Sequence, residues 1–261
     1  MNTAQRPSTG RAPSATRLGA PLTAPSGRPE DVTPAPIDLI IFDCDGVLVD
    51  SEPISISVLR EVIAAAGGSV SEEVAYDRFL GRSMATIRDL LQSDFGLAVT
   101  DTHLERMRGD LNERFRRELK AIDGIHDAVV RLSFRRCVAS SSKPERIRLS
   151  LQVTGLLDLF EPHIYSSTMV ENGKPAPDLF LHAAASMGVA PQACVVIEDS
   201  PAGVEAARRA GMRVLAFSGG AHAAGPALRA AIAALGPDRE FSDMRALPEL
   251  IASLAAGERT A

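Results

Sequence analysis

Asp38-Leu39-Ile40-Ile41-Phe42-Asp43-Cys44-Asp45-Gly46-Val47 decides the architecture of this chain. Leu39 to Phe42 is an unbroken apolar run, the pattern of a strand buried on both faces of a parallel sheet. It ends in two carboxylates, Asp43 and Asp45, two residues apart, and Gly46 lets the chain turn sharply. In open parallel α/β sheets the chemistry collects just beyond the carboxyl ends of the strands. Two acids there can divide labour, one as nucleophile or metal ligand and the other as general acid and base. A plain solvated turn also favours Asp and Gly, so residues downstream must separate the two possibilities.

From residue 38 onward, short apolar runs alternate with helix-prone segments, the pattern of a parallel sheet with crossover helices. The segment after the first strand is longer than one crossover. Residues 53–120 are nearly all helix-prone, with breaks at Gly67-Gly68, Gly81 and Gly96, which predicts several helices inserted as a lid or cap. Ser51 or Glu52 suits the N-cap of the first, with Pro53 in its opening turn. Further strands are expected at Arg136–Ala139, His163–Ser166, Cys194–Ile197 and Arg213–Phe217, with an edge strand at Glu240–Phe241. Helices are expected over 145–154 and 177–187, ended by Gly155 and Gly188, and from Ser200-Pro201 to Gly211. The expected fold is α/β: a three-layer, Rossmann-like parallel sheet core (37–52 and 121–256) with an inserted helical cap (53–120).

Residues 1–36 stand apart. They hold seven of the 17 prolines and no aromatic residue, so they cannot bury enough surface to offset their ordering entropy. Four arginines and no acid before Glu30 loosely resemble a transit peptide, but the prolines oppose an amphipathic helix. A plain disordered tail, or an upstream translation start, fits better.

Composition narrows the partners. With 4% aromatic residues and no Trp, the chain lacks a stacking platform for single-stranded nucleic acid. A net charge of -5 and a pI near 5.6 oppose general electrostatic binding to nucleic acid. Cys44, Cys137 and Cys194 are too sparse for a disulfide framework and form no CxxC pair, so they read as small buried hydrophobes in a reducing cytosol. No apolar run approaches the roughly 20 residues that span a membrane.

Three later segments carry polar groups at or near strand ends. Ser140-Ser141-Ser142 leads into a helix, where hydroxyls and backbone N–H groups suit an anion, although ordinary capping would use the same residues. In Gly173-Lys174-Pro175-Ala176-Pro177-Asp178 two prolines stiffen the loop that holds Lys174, a cation able to neutralise a phosphate. Glu198-Asp199 comes straight after Val195-Val196-Ile197, and two acids facing the first pair would make a hard, oxygen-rich site for Mg²⁺. Together these parts suit phosphoester cleavage. A cation, Lys174 and the Ser140 loop would offset the repulsion between carboxylates and a phosphate dianion. Asp43 could attack phosphorus in line, and Asp45 could protonate the leaving oxygen and later activate water.

Asp43 to Asp50, Ala139 to Ser142, Gly173 to Asp178, and Glu198-Asp199-Ser200-Pro201-Ala202-Gly203 with Ala206-Ala207 and Ala210-Gly211-Met212 resemble the haloacid dehalogenase-like hydrolase superfamily. The four motifs stand in that family's order, and the resemblance covers roughly residues 37–255. The helical insertion resembles the family's small cap and places the chain near the sugar-phosphate phosphatases and β-phosphoglucomutases. The resemblance implies Asp43 as nucleophile and Mg²⁺ ligand. Asp45 would be the acid/base, meeting the metal through its backbone carbonyl. Ser140, the N–H of Ser141 and Lys174 would hold the phosphoryl group. Asp199 would be the main distal metal ligand, with Glu198 beside it, direct or through water. The haloalkanoic dehalogenases of that family lack the second acid, so Asp45 favours phosphoryl transfer.

A mutase of this family has a His in the cap's first helix, where this chain has Ser55, and an Arg in the cap's substrate loop, where it has Met84. Arg82 could stand in for that Arg, and Arg82 and Ser83 are the candidate cap-side substrate contacts. Lys143 could touch the substrate or simply precede a helix. The acids Asp101, Glu105 and Asp110 read as a solvated helix face. The expectation is therefore a cytosolic, Mg²⁺-dependent phosphatase for a small phosphorylated metabolite, a sugar or sugar-acid phosphate. It would work as monomer or homodimer, with no nucleic-acid or membrane partner. A β-phosphoglucomutase-type enzyme is the alternative, and a non-catalytic phosphometabolite-binding module the alternative of another class. The module would betray itself by a missing Asp43, Asp45, Lys174 or Asp199, and all four are present.

Overall fold

The computed structural model describes residues 36–79 and 84–257. Apart from Pro36, the expected tail lies outside the described residues, as do Arg82 and Ser83. Six strands, β1 (Leu39–Phe42), β2 (Arg135–Ser140), β3 (Ile164–Ser166), β4 (Cys194–Glu198), β5 (Arg213–Phe217) and β6 (Arg239–Phe241), form one sheet in the order β3-β2-β1-β4-β5-β6. Every pairing is parallel. The chain steps from β1 outward through β2 to β3, then crosses back and steps the other way through β4, β5 and β6. The switch point lies between β1 and β4, where an open α/β sheet leaves a crevice at its carboxyl edge. Register places the chemistry there: Phe42 pairs with Val138 on one side and Ile197 on the other, so Asp43 emerges level with Glu198.

The apolar runs form strands because both faces are covered. Ile40, Phe42, Val138, Val195 and Ile197 join one buried cluster, while Leu39, Ile41, Cys137, Cys194 and Val196 join another. Alternate side chains thus enter opposite layers, and each fully buried one contributes about 1.5–3 kcal/mol of hydrophobic stabilisation.

Between β1 and β2 the chain runs through α1 (Glu52–Ala65), α2 (Glu72–Phe79), α3 (Met84–Phe95) and α4 (Asp101–Glu118), the inserted cap helices, and then α5 (Ile125–Arg131). The two connections pair side by side: Asp50 N donates to Lys120 O (3.0 Å) and Ile122 N to Leu48 O (2.9 Å). Entry and exit are therefore adjacent. Thr100 caps α4, accepting from His103 N at 3.3 Å, while His103 Nδ1 accepts from Thr100 N. The remaining helices are α6 (Pro144–Val153), α7 (Leu157–Phe160), α8 (Asp178–Ser186), α9 (Pro201–Arg209), α10 (Pro226–Ala234) and α11 (Leu247–Ala255). α8, α9 and α10 pack Phe180, Val204 and Ile232 against one face of the sheet, and α5, α6 and α11 pack Val129, Ile147 and Ile251 against the other.

The expected elements all form, with ends shifted by one or two residues. One local expectation is corrected. Ser51 precedes α1, but its backbone is already helical (φ -84°, ψ -22°) where a capping residue is extended, so its side chain makes no capping bond and its hydroxyl donates to Asp45. The three cysteines are free and buried. Among the described residues no helix is long and apolar enough to cross a membrane.

Candidate active site

Asp43 leaves β1 with its N–H bonded to Ile197 O at 3.0 Å, which locks it to the end of β4. The residue is 7% exposed. Lys174 reaches it from the loop before α8: Nζ stands 2.5 Å from Asp43 Oδ1 and 2.7 Å from Glu198 Oε1. The lysine side chain is 4% exposed and lies 4.8 Å from the Phe180 ring centroid. Burial alone would strip a lysine of its charge. Two carboxylates at this range outweigh that loss, and Lys174 is held above the usual lysine range.

Glu198 is engaged on both oxygens. Oε1 accepts from Lys174, and Oε2 accepts from the N–H of Asp199 (2.8 Å), the N–H of Ser200 (2.8 Å) and Ser200 Oγ (2.9 Å). Ser200 Oγ also accepts from Gly203 N at 3.1 Å, so the first turn of α9 and the carboxylate are tied together. A Cβ at Gly203 would lie 1.8 Å from Glu198 Oε1, so only glycine fits there.

Asp43, Glu198 and Asp199 each place a carboxylate oxygen within 4.8 Å of the other two. The Asp43 carboxyl is pushed well above its ordinary value, first by burial and then by Glu198 and Asp199, with Lys174 opposing. Asp199 is raised by burial, with His222 opposing. Buried, hard oxygen donors whose mutual repulsion one lysine does not fully offset are suited to a divalent cation such as Mg²⁺. Gly46 closes the cluster. Its φ of +83° suits glycine, and a Cβ there would stand 2.0 Å from Asp199 Oδ2.

Asp45 has a separate set of partners. Oδ1 accepts from Ser51 Oγ (2.7 Å) and Arg146 (3.2 Å), and Oδ2 accepts from Ser142 Oγ (2.7 Å). Burial would raise its pKa, but Arg146 and the two hydroxyls outweigh burial and hold it below the usual carboxylate range. Arg146 in turn lies 4.9 Å from the centroid of Phe115, on cap helix α4, so core helix, cap helix and Asp45 meet at one guanidinium. Ser140 is buried, and its Oγ accepts from Ser142 N at 3.1 Å. Ser166 Oγ and Ser167 Oγ fasten the same loop by donating to Ser142 O (2.7 Å) and Ser141 O (2.8 Å). Ser141 and Lys143 are exposed beside it.

The structure thus gathers Asp43, Lys174, Glu198 and Asp199 into one cluster, with Asp45 beside them and the Ser140–Ser142 loop reaching it through Ser142. It adds residues that the sequence does not mark as site residues, Ser51, Arg146, Glu52 and His222, and turns the hydroxyl of Ser142, a member of the expected anion loop, to Asp45. Ser142 and Arg146, four apart, both turn to Asp45. The Gly219-Gly220 pair after β5 is the available signal for His222.

Burial, with Asp45 adding to it, raises the Glu52 carboxyl to about 7, while His222 opposes. Between its ordinary value of about 4.3 and that point, the folded protein holds a proton the unfolded chain has released. Stability from this group therefore falls as pH rises through that window. Glu52→Gln should remove the slope. Calorimetric melts in EDTA should coincide below about pH 5 and favour the variant at about pH 8.

An aspartate nucleophile candidate, a buried lysine and an acid cluster, set at the switch point of a parallel sheet, define a phosphoryl-transfer hydrolase. Residues 40–217 match the family model of haloacid dehalogenase-like hydrolases, and the chain belongs to that family. It is similar to 6-phosphogluconate phosphatase of Escherichia coli, 30% identical over 71% of this chain and 85% of that protein. A solved haloacid dehalogenase-like protein of unknown function from Agrobacterium tumefaciens superposes with a TM-score of 0.77. It is 40% identical over 84% of this chain and 99% of its own. A HAD family hydrolase from Deinococcus radiodurans, solved with bound phosphate and sodium, gives 0.70 and 31% identity, covering 87% of this chain and 100% of its own. The chain is accordingly a phosphoric monoester hydrolase.

Proposed function

We propose that this chain is a Mg²⁺-dependent phosphatase of a small sugar or sugar-acid phosphate, working through an aspartyl-phosphate on Asp43. The observation that carries this is Lys174 bridging Asp43 and Glu198, because a buried cation against a buried nucleophile marks where a phosphoryl dianion would sit. The similarity to a 6-phosphogluconate phosphatase supports a sugar-acid phosphate as the substrate class.

Asp43 would attack phosphorus, forming the acyl-phosphate bond as the ester P–O bond breaks, with Lys174 and the Ser140–Ser141 loop holding the phosphoryl oxygens. Asp45 would give its proton to the leaving alkoxide and then take one from the water that attacks the acyl-phosphate, returning Asp43 and releasing phosphate. Its bonds to Ser51, Ser142 and Arg146 hold the ionised form, so they would loosen for the first step and suit the second. Asp43, the Asp45 carbonyl and Asp199, with Glu198 beside them, would hold the Mg²⁺, which when bound offsets the repulsion between these acids and the phosphate. Residues 53–120 would act as a cap that excludes bulk water. On the α1 face where a mutase would need an imidazole stands Ser55, whose buried Oγ has no partner, and this favours water as the acceptor.

The test is phosphate release from a panel of sugar, sugar-acid and glycolate phosphates, with Mg²⁺ and with EDTA. Release that needs Mg²⁺ and is fastest on one sugar-acid or sugar phosphate is expected. Conversion of a hexose 1-phosphate to the 6-phosphate without release would replace the proposal with a mutase. Saturable binding of a sugar phosphate with neither reaction would point to a binding module.

A further inference from the structure

His222 sits in the short turn Ala221–Ala224 after β5, with its side chain 2% exposed. Its Nε2 stands 2.7 Å from Asp199 Oδ2. The contact is an ion-pair approach, and Nδ1 makes no hydrogen bond. A buried polar atom left without such a bond costs about 1–3 kcal/mol, so an apolar residue would fill this space at lower cost. The fold nevertheless makes room for the ring. A Cβ at Gly46 would stand 2.8 Å from His222 Cε1, and one at Gly220 would stand 2.7 Å from Cε1 and 2.8 Å from Nδ1. Two glycines therefore clear the volume that the imidazole occupies beside Asp199.

Resting on the metal-dependent function proposed above, we infer that His222 is a positioning residue for Asp199. It braces Oδ2, which Gly46 closes from the other side, and leaves Oδ1 free for a divalent cation shared with Asp43. Asp199 is flanked on its chain by Glu198, whose two oxygens are committed to Lys174 and the first turn of α9. Asp199 is thus the acid of the pair left for a cation, and its orientation sets the affinity. Outer partners of metal-ligating carboxylates typically change metal affinity by about 10- to 100-fold.

The experiment titrates Mn²⁺ and Mg²⁺ by calorimetry into full-length wild type, His222→Phe and His222→Gln, with metal-free melts as a control. Gln retains an N–H near the Nε2 position, and Phe keeps only the ring volume. Phe is expected to weaken both metals by about 10- to 100-fold, and Gln to recover most of that. Phe binding within twofold of wild type would overturn the inference. So would Gln binding as weakly as Phe while melting like wild type. A wild type that binds neither metal would bring down the metal-dependent function itself, and this inference with it.

Discussion

Asp43→Asn should abolish phosphate release, by about 10⁴-fold or more in kcat, while the protein stays folded. The amide keeps the size of the carboxylate but has no charged oxygen to attack phosphorus. The structural cost should be small, because the native carboxylate is itself unfavourable. Burial, Glu198 and Asp199 all raise its pKa, so at neutral pH the ionised form strains the fold and only Lys174 relieves it. A neutral isostere removes that strain and leaves Lys174 bonded to Glu198 at 2.7 Å. Thermal melts in EDTA should therefore place the variant at or above wild type, and single-turnover assays should show no phosphorylated enzyme. A variant that melts well below wild type, or that keeps a tenth of the activity, would contradict the assignment of Asp43.

Lys174→Met should damage both activity and stability. Methionine fills much of the same volume against Phe180 but leaves the carboxylates of Asp43, Glu198 and Asp199 facing each other without a cation. Removing one partner from a buried ion pair costs about 3–5 kcal/mol. The pH dependence has a definite sign. Lys174 has a folded pKa above its ordinary value, so its contribution is complete below about pH 10 and is lost only as pH rises through the higher folded value. The variant, lacking the cation, regains stability when Asp43 takes a proton, since that carboxyl is already raised in the native protein. The melting deficit against wild type should be largest above neutrality and shrink toward about pH 5. Added Mg²⁺ should narrow it by supplying positive charge to the same acids. A deficit independent of both pH and Mg²⁺ would mean that lost packing against Phe180, and not charge, explains the effect.

The layered fold and the edge at which chemistry occurs were legible in the order of the residues. Runs such as Leu39–Phe42 and Val195–Ile197 are apolar at every position because helices cover both faces of a parallel sheet. Parallel strands joined by crossovers also put all their carboxyl ends on one side. Asp43, Ser140 and Glu198 therefore had to lie on one edge, and the strand order, with β2 and β4 flanking β1, brings them together. These are local signals, written in periodicity and in the residues at each strand's carboxyl end. The partnerships were not legible, because they form only when distant segments meet. Lys174 meets Asp43 across 131 residues, and Ser142 and Arg146 meet Asp45 across 97 and 101. No periodic pattern reports contacts at such separations. Ser51 shows why: by position it is a helix cap, yet its backbone folds as helix, not as an extended cap, and its hydroxyl donates to Asp45. His222 shows the same for a loop, since only the open space left by Gly46 and Gly220 brings an imidazole to Asp199. Side chains past a strand end take the orientation that buried charge demands, and that demand comes from neighbours which only folding assembles.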